Sequence, residues 1–191
     1  MRAANDPAGP LKVISLCAGD GRDLLHVLAG HPRRHEVRAR LVELDSRNTA
    51  AASETTRRAC LDQVEVVTGD ASLIDQYQDL APADLVLVCG VFGNITDNDI
   101  EHTIGACNQL CKTGGTVIWT RHRAAPDRVP MICEWFGAQG FELQWLSEPD
   151  VGYGVGVHRF AGTPQRLRNG TRMFEIVGYD LLRQNEAAQS V

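Results

Sequence analysis

Lys12-Val13-Ile14-Ser15-Leu16-Cys17-Ala18-Gly19-Asp20-Gly21-Arg22-Asp23 is an apolar run that breaks on a Gly-x-Gly turn and enters a helix. Leu24, Leu25 and Leu28 then fall on one helical face, and Gly30 with Pro32 ends the helix. A strand–turn–helix of this kind lets a nucleotide-like ligand lie close to backbone amides at a helix N-terminus. Gly-x-Gly alone is also no more than a tight turn. The strand ends further along the chain give it meaning.

Beyond this stretch, strands and helices alternate almost without interruption. Apolar or alternating runs at 11–17, 37–44, 64–68, 84–89, 116–120, 141–146 and 154–160 read as seven strands. Helical stretches fall between them, reaching about residue 60, around Leu73 to Leu80, over 97–111 with Asp97 as N-cap, and after Pro126. Gly114-Gly115 reads as a break into the fifth strand. Repeats of strand and helix imply a parallel sheet covered on both sides by right-handed crossovers. No helix separates the last two strands, so one antiparallel strand is expected near an edge. The expected fold is therefore α/β, a Rossmann-like three-layer sandwich on a mostly parallel seven-stranded sheet. It divides into a flexible segment at 1–10, a domain over 11–160, and a C-terminal arm over 161–191 that packs on the domain. Residues 171–177 read as an extra edge strand or a packing arm, and 185–191 as disordered.

The 191 residues suit one domain with a sizeable core. A net charge of −5 argues against a nucleic-acid backbone as the main partner. No apolar stretch approaches the roughly 20 residues of a membrane helix, and the N-terminus lacks a signal-peptide core, so a cytoplasmic protein is expected. Six cysteines form no Cys-x-x-Cys pair and read as reduced, small apolar side chains. No metal site is expected: Cys107 and Cys111 lie one helical turn apart, but no His or second pair accompanies them.

In such a sheet, ligands lie at the carboxyl ends of the strands near the switch point. Ala18, Gly19, Asp20 and Gly21 stand after strand one, and Glu43 and Asp45 at the end of strand two. Two apart in a strand, those acids point to one face, where a carboxylate accepts both hydroxyls of a ribose. Asp70 follows strand three, positioned to accept an adenine amine while the amide of Ala71 donates to the ring. Cys89, Gly90 and Asn94 follow strand four, and Arg121-His122-Arg123 follows strand five.

A glycine turn, an acid at strand two and Gly-Asp at strand three match the order found in class I S-adenosylmethionine-dependent methyltransferases. The chain resembles that family from about Leu11 to Phe160, specifically an uncharacterised bacterial branch. Its first motif corresponds to residues 13–21, its second to Leu41-Val42-Glu43-Leu44-Asp45, its third to Val67-Thr68-Gly69-Asp70-Ala71, and its strand-five entry to Gly114-Gly115-Thr116. The resemblance implies S-adenosyl-L-methionine as cofactor and S-adenosyl-L-homocysteine as product. It implies cofactor contacts from Ala18, Gly19, Asp20, Gly21, Glu43, Leu44, Asp70, Ala71, Cys89, Gly90 and Asn94. Two positions depart from the pattern. Ser15 replaces the usual acid before the turn, and Cys17 the usual first glycine.

Methyl transfer to a hydroxyl needs alignment and a proton acceptor. His122 is the candidate base, since an imidazole titrates near neutrality. Arg121 or Arg123 is the candidate for an acidic substrate; both are equally readable as a solvated basic loop. Asn94 reads as a cofactor or acceptor contact or as a helix cap. His158, in mid-strand, reads as structural, and His26, His31, His35 and His102 as surface residues. The expected activity is O-methylation of a small-molecule acceptor. Three rivals are an enzyme that cyclises or cleaves the cofactor, a non-catalytic cofactor-binding partner, and, weakest, RNA methylation. Few residues precede strand one, so the acceptor pocket is left open, suiting a carrier-bound or peptide acceptor. Otherwise it is completed by the C-terminal arm, by the second subunit of a homodimer, or by a cap region of a longer chain.

Overall fold

Residues 9–189 are described by a computed structural model. The elements are β1 (Leu11–Leu16), α1 (Arg22–Gly30), β2 (Val37–Glu43), α2 (Ser46–Arg58), β3 (Val64–Thr68), β4 (Ala83–Val88), α3 (Asp97–Leu110), β5 (Cys111–His122), α4 (Val129–Ala138), β6 (Phe141–Leu146), β7 (Tyr153–Phe160) and α5 (Tyr179–Gln189). The seven strands form one sheet in the order β3-β2-β1-β4-β5-β7-β6. β1 to β5 run parallel, and β7 lies antiparallel between β5 and β6. The chain winds outward from β1 to β3, then returns to lay β4 on the other side of β1. That reversal opens a crevice at the carboxyl ends of β1 and β4.

Each face of the sheet buries its own core. On one side Leu24, Leu25 and Leu28 of α1 pack with Val13, Leu41 and Ala52. On the other, α3 and α4 cover a larger cluster through Ile100, Ile104, Ile132 and Phe136. There Phe136 lies nearly parallel to Trp119, with centroids 6.2 Å apart, and to His158 at 4.4 Å. His158 is fully buried, and its Nδ1 accepts from Trp119 Nε1 at 3.1 Å. Burial drives its pKa down to about 4, so it packs as a neutral ring, in keeping with the structural reading.

Local details differ from the sequence expectations. Thr96, not Asp97, caps α3: its hydroxyl accepts from Asp99 N at 3.1 Å. β5 begins at Cys111 and runs straight through Gly114-Gly115, because a register shift opposite Ala83–Leu85 absorbs the irregularity as a bulge. Residues 171–177 form a packing arm with a single bridge, Leu73 to Arg172, and bury Met173 and Phe174 in the core. Residues 185–189, expected to be disordered, close the helix α5. The expectations for 1–8 and 190–191 lie outside the described residues.

Candidate active site

The glycine turn shapes a cavity more than it offers donors. Ala18 N donates to Val42 O, Gly19 N to Glu43 Oε2 at 2.9 Å, and Gly21 N to Ala18 O. These three amides are bonded inside the fold, so the turn brings a ligand near its backbone without offering them as donors. Gly21 instead solves a packing problem. With φ +74°, it lets α1 approach β2 so closely that a Cβ would sit 2.6 Å from Leu25 Cδ1 and 2.7 Å from Leu41 Cδ2. Gly19 faces open space: at φ +56°, its added Cβ would meet nothing within 4 Å. Cys17 has φ +47°, so the thiol side chain occupies a left-handed position that glycine normally fills.

Glu43 ties the turn to the neighbouring strand. Its second oxygen accepts from Asp45 N at 2.9 Å. Asp45 does not share its face. β2 ends at Glu43, and Asp45 caps α2 by accepting from Arg47 N at 2.8 Å. Leu44 is exposed, and Ala71 is buried with its carbonyl accepting from Tyr77 Oη. Asp70 accepts from Ser72 N and Ser72 Oγ on one oxygen and from Arg172 of the arm, at 2.8 Å, on the other.

Two adjoining cavities lie at the switch point. The first, of about 350 Å³, is lined by residues including Cys17, Ala18, Gly19, Asp20, Asp23, Cys89 and Gly90. Its two thiols are held in the protonated form. Burial first, then the charges of Glu43 and Asp70, push Cys17 up to about 12. Burial first, then Asp23, does the same to Cys89. The Arg22 side chain hydrogen-bonds Asp20 and holds its carboxyl below the usual range. The second cavity, of about 270 Å³, is lined by Gly93, Asn94, Arg121, His122 and Tyr179, among others. Gly90, Thr120 and Tyr153 line both.

Arg121 and His122, at the end of β5, both line this one cavity. Arg121 is buried and donates to Phe92 O at 2.5 Å, so it is not part of a solvated loop. Arg123 is committed elsewhere, to Asp127 at 2.9 Å and Ser147 O at 3.1 Å. Asn94 is a cap, but of a helix distant in sequence. Its Oδ1 accepts from Tyr179 N at 3.1 Å, its carbonyl accepts from Val177 N and Gly178 N, and its Nδ2 donates to Gly90 O at 2.8 Å.

The sequence reading assigns no role to Thr120, Tyr153, Arg172 or Tyr179. Thr120 accepts from Gly90 N at 2.9 Å and pins that loop, which turns at φ +73°. The two-residue period that places it with His122 was available as a signal. Tyr179 and Arg172 arrive on the arm and carry no local signal.

An α/β sheet of this order, with its cavities at the β1–β4 switch point, defines the Rossmann-like class to which class I methyltransferases belong. Residues 1–140 match a family model described as "Putative methyltransferase", and the chain belongs to that family. A search of curated proteins returns no match. Among solved structures, it is similar to an O-methyltransferase family protein from Burkholderia thailandensis, with 18% identity and a TM-score of 0.65, covering 81% of this chain and 52% of that one. It is also similar to magnesium protoporphyrin IX methyltransferase from Synechocystis, with 14% identity and a TM-score of 0.62 over 80% of this chain and 71% of that one. A third is 1,6-didemethyltoxoflavin-N1-methyltransferase from Burkholderia thailandensis, with 17% identity and a TM-score of 0.62 over 81% and 72%. The chain thus spans about half the length of the first of these structures. At these identities the likeness is one of fold. Among the described residues, no helix is long and apolar enough to cross a membrane.

Proposed function

We propose that this protein binds S-adenosylmethionine in the crevice between β1 and β4 and transfers its methyl group to an oxygen of a small-molecule acceptor held beside His122. The observation that carries the reading is the shared wall. Gly90, Thr120 and Tyr153 line both cavities, so a ligand in each would meet across them.

The first cavity fits the cofactor on two counts. Added Cβ atoms at Gly19 and Gly90 would project into open space, so the absent side chains leave room for a ligand against the backbone. Asp20 and Asp23 line it and suit an α-ammonium group. Glu43 and Asp70, at the ends of β2 and β3, are the acids for the ribose and adenine. The sulfonium, when bound, supplies an electrophilic methyl group. Thr120 and Asn94 hold the Gly90 loop between the cavities and so set the line of approach. His122 would take the acceptor's hydroxyl proton as the methyl group passes to the acceptor oxygen, with the cofactor leaving as its neutral thioether. Arg121 anchors the Phe92 carbonyl and contributes positive charge to the wall.

Calorimetric titration with S-adenosylmethionine and S-adenosylhomocysteine, on wild type and on Glu43→Ala and Asp70→Ala, tests the cofactor site. Binding weakened in both variants supports it, and absent binding by wild type overturns it. Product analysis then tests the reaction. S-adenosylhomocysteine formed with an acceptor, and lost in His122→Ala, supports transfer, whereas methylthioadenosine marks cleavage or cyclisation instead.

A further inference from the structure

The second cavity has aromatic walls from three separate parts of the chain. His122 ends β5. Tyr153 is its register partner across the antiparallel pair with β7. Tyr179 opens α5 and meets the His122 ring edge-on, with centroids 4.7 Å apart at 84°. Both tyrosines keep substantial surface exposed, 64% for Tyr153 and 39% for Tyr179, while lining the same hollow. Neither ring is used as core. Tyr179 is also held in place: Asn94 binds the backbone of residues 177–179 and, through its side-chain amide, the Gly90 loop that borders the first cavity.

Size narrows the occupant. At about 270 Å³ the cavity exceeds the roughly 150 Å³ that accommodates a benzene ring. It falls just short of the roughly 300–1,000 Å³ typical of drug-sized ligands. One ring or a fused pair fits; a peptide or a carrier-bound chain does not need such walls.

We infer that the acceptor is a small planar aromatic compound bearing a ring hydroxyl, and that Tyr179 is a specificity-determining residue that packs on the ring and turns the hydroxyl toward His122. This inference rests on the reading of the His122 cavity as the acceptor site.

The test uses the full chain saturated with S-adenosylhomocysteine, so that no turnover occurs. Binding of 4-nitrophenol and 2-naphthol is compared with that of cyclohexanol, up to millimolar concentration, by calorimetry. The expected result is binding of both aromatic probes and none of cyclohexanol. Tyr179→Ala is expected to weaken the aromatic probes about tenfold and Tyr179→Phe to leave them nearly unchanged. Retention of S-adenosylhomocysteine affinity within twofold shows that both variants are folded. Equal binding of cyclohexanol, or aromatic binding indifferent to Tyr179→Ala, overturns the inference. So does the absence of all probe binding while S-adenosylhomocysteine still binds, and in that case the cofactor reading stands. Failure of wild type to bind S-adenosylhomocysteine overturns the functional reading and the inference with it.

Discussion

Two glycines separated by one residue should fail in opposite ways. In Gly21→Ala the new methyl would lie 2.6 Å from Leu25 Cδ1 and 2.7 Å from Leu41 Cδ2. Both leucines are fully buried, so their displacement disturbs the packed core around them. Overpacking a filled core costs about 1–3 kcal/mol, and holding an L-residue at positive φ about 1–2 kcal/mol more. The expected loss is about 2–5 kcal/mol, or roughly 5–20 °C in melting temperature for a domain of this size. In Gly19→Ala only the backbone cost applies, about 1–2 kcal/mol, because the methyl meets nothing within 4 Å. That methyl instead enters the cavity of about 350 Å³. Urea denaturation should therefore separate the two by at least about 1 kcal/mol. Calorimetry with S-adenosylhomocysteine should show Gly19→Ala, though folded, binding at least about tenfold more weakly than wild type, a change of roughly 1.4 kcal/mol. Wild-type affinity in Gly19→Ala would rule out this placement of the cofactor, and equal destabilisation by both would overturn the packing argument.

Three further outcomes are expected. His158 has a folded pKa of about 4 against an ordinary 6.5, so the folded chain refuses a proton that the unfolded chain accepts. Its contribution is complete above pH 6.5 and is lost as pH falls toward 4, on the order of 3 kcal/mol in all; an imidazole NMR titration with a midpoint near 6.5 would count against this. Thr120→Val removes the acceptor for Gly90 N and should cost about 1 kcal/mol in urea denaturation and weaken cofactor binding severalfold. Thr120→Ser should restore both, and a Thr120→Ser variant as poor as the valine would discount the hydrogen bond. Cys60 is exposed, whereas burial pushes Cys17 and Cys89 up to about 12. An aromatic disulfide reagent at mildly alkaline pH should modify Cys60 first, and Cys60→Ser should abolish the fast phase.

The sheet was legible because its signals are local. Hydrophobic runs such as Leu85-Val86-Leu87-Val88 and glycine punctuation reveal strands and turns without reference to the rest of the chain. Residues at strand ends could also be named in advance, since a parallel sheet brings those ends together. What each would do there was less accessible. Strand periodicity pairs Asp45 with Glu43, but the strand stops two residues short of Asp45, and a helix N-terminus claims its carboxylate. Asn94 carries two readings in the sequence, a ligand contact and a helix cap, and the helix it caps is out of view because α5 lies 85 residues further on. Arg123 resembled Arg121 until Asp127 and Ser147 O engaged it.

The order of residues alone was enough for the α/β class, the glycine turn, the acids of β2 and β3, and the methyltransferase family to which the chain belongs. These depend on periodicity and on residues close together in the chain. Three features became visible only in the folded chain: the amides of Ala18, Gly19 and Gly21 are bonded internally, Thr120 and Asn94 hold the Gly90 loop, and the arm carries Arg172 to Asp70 and Tyr179 to His122. Hydrogen bonds and ring contacts depend on distance in space, which a linear pattern does not carry. The arm's 172–179 segment is held near its partners by Met173 and Phe174, which are buried in the core that the whole sheet assembles.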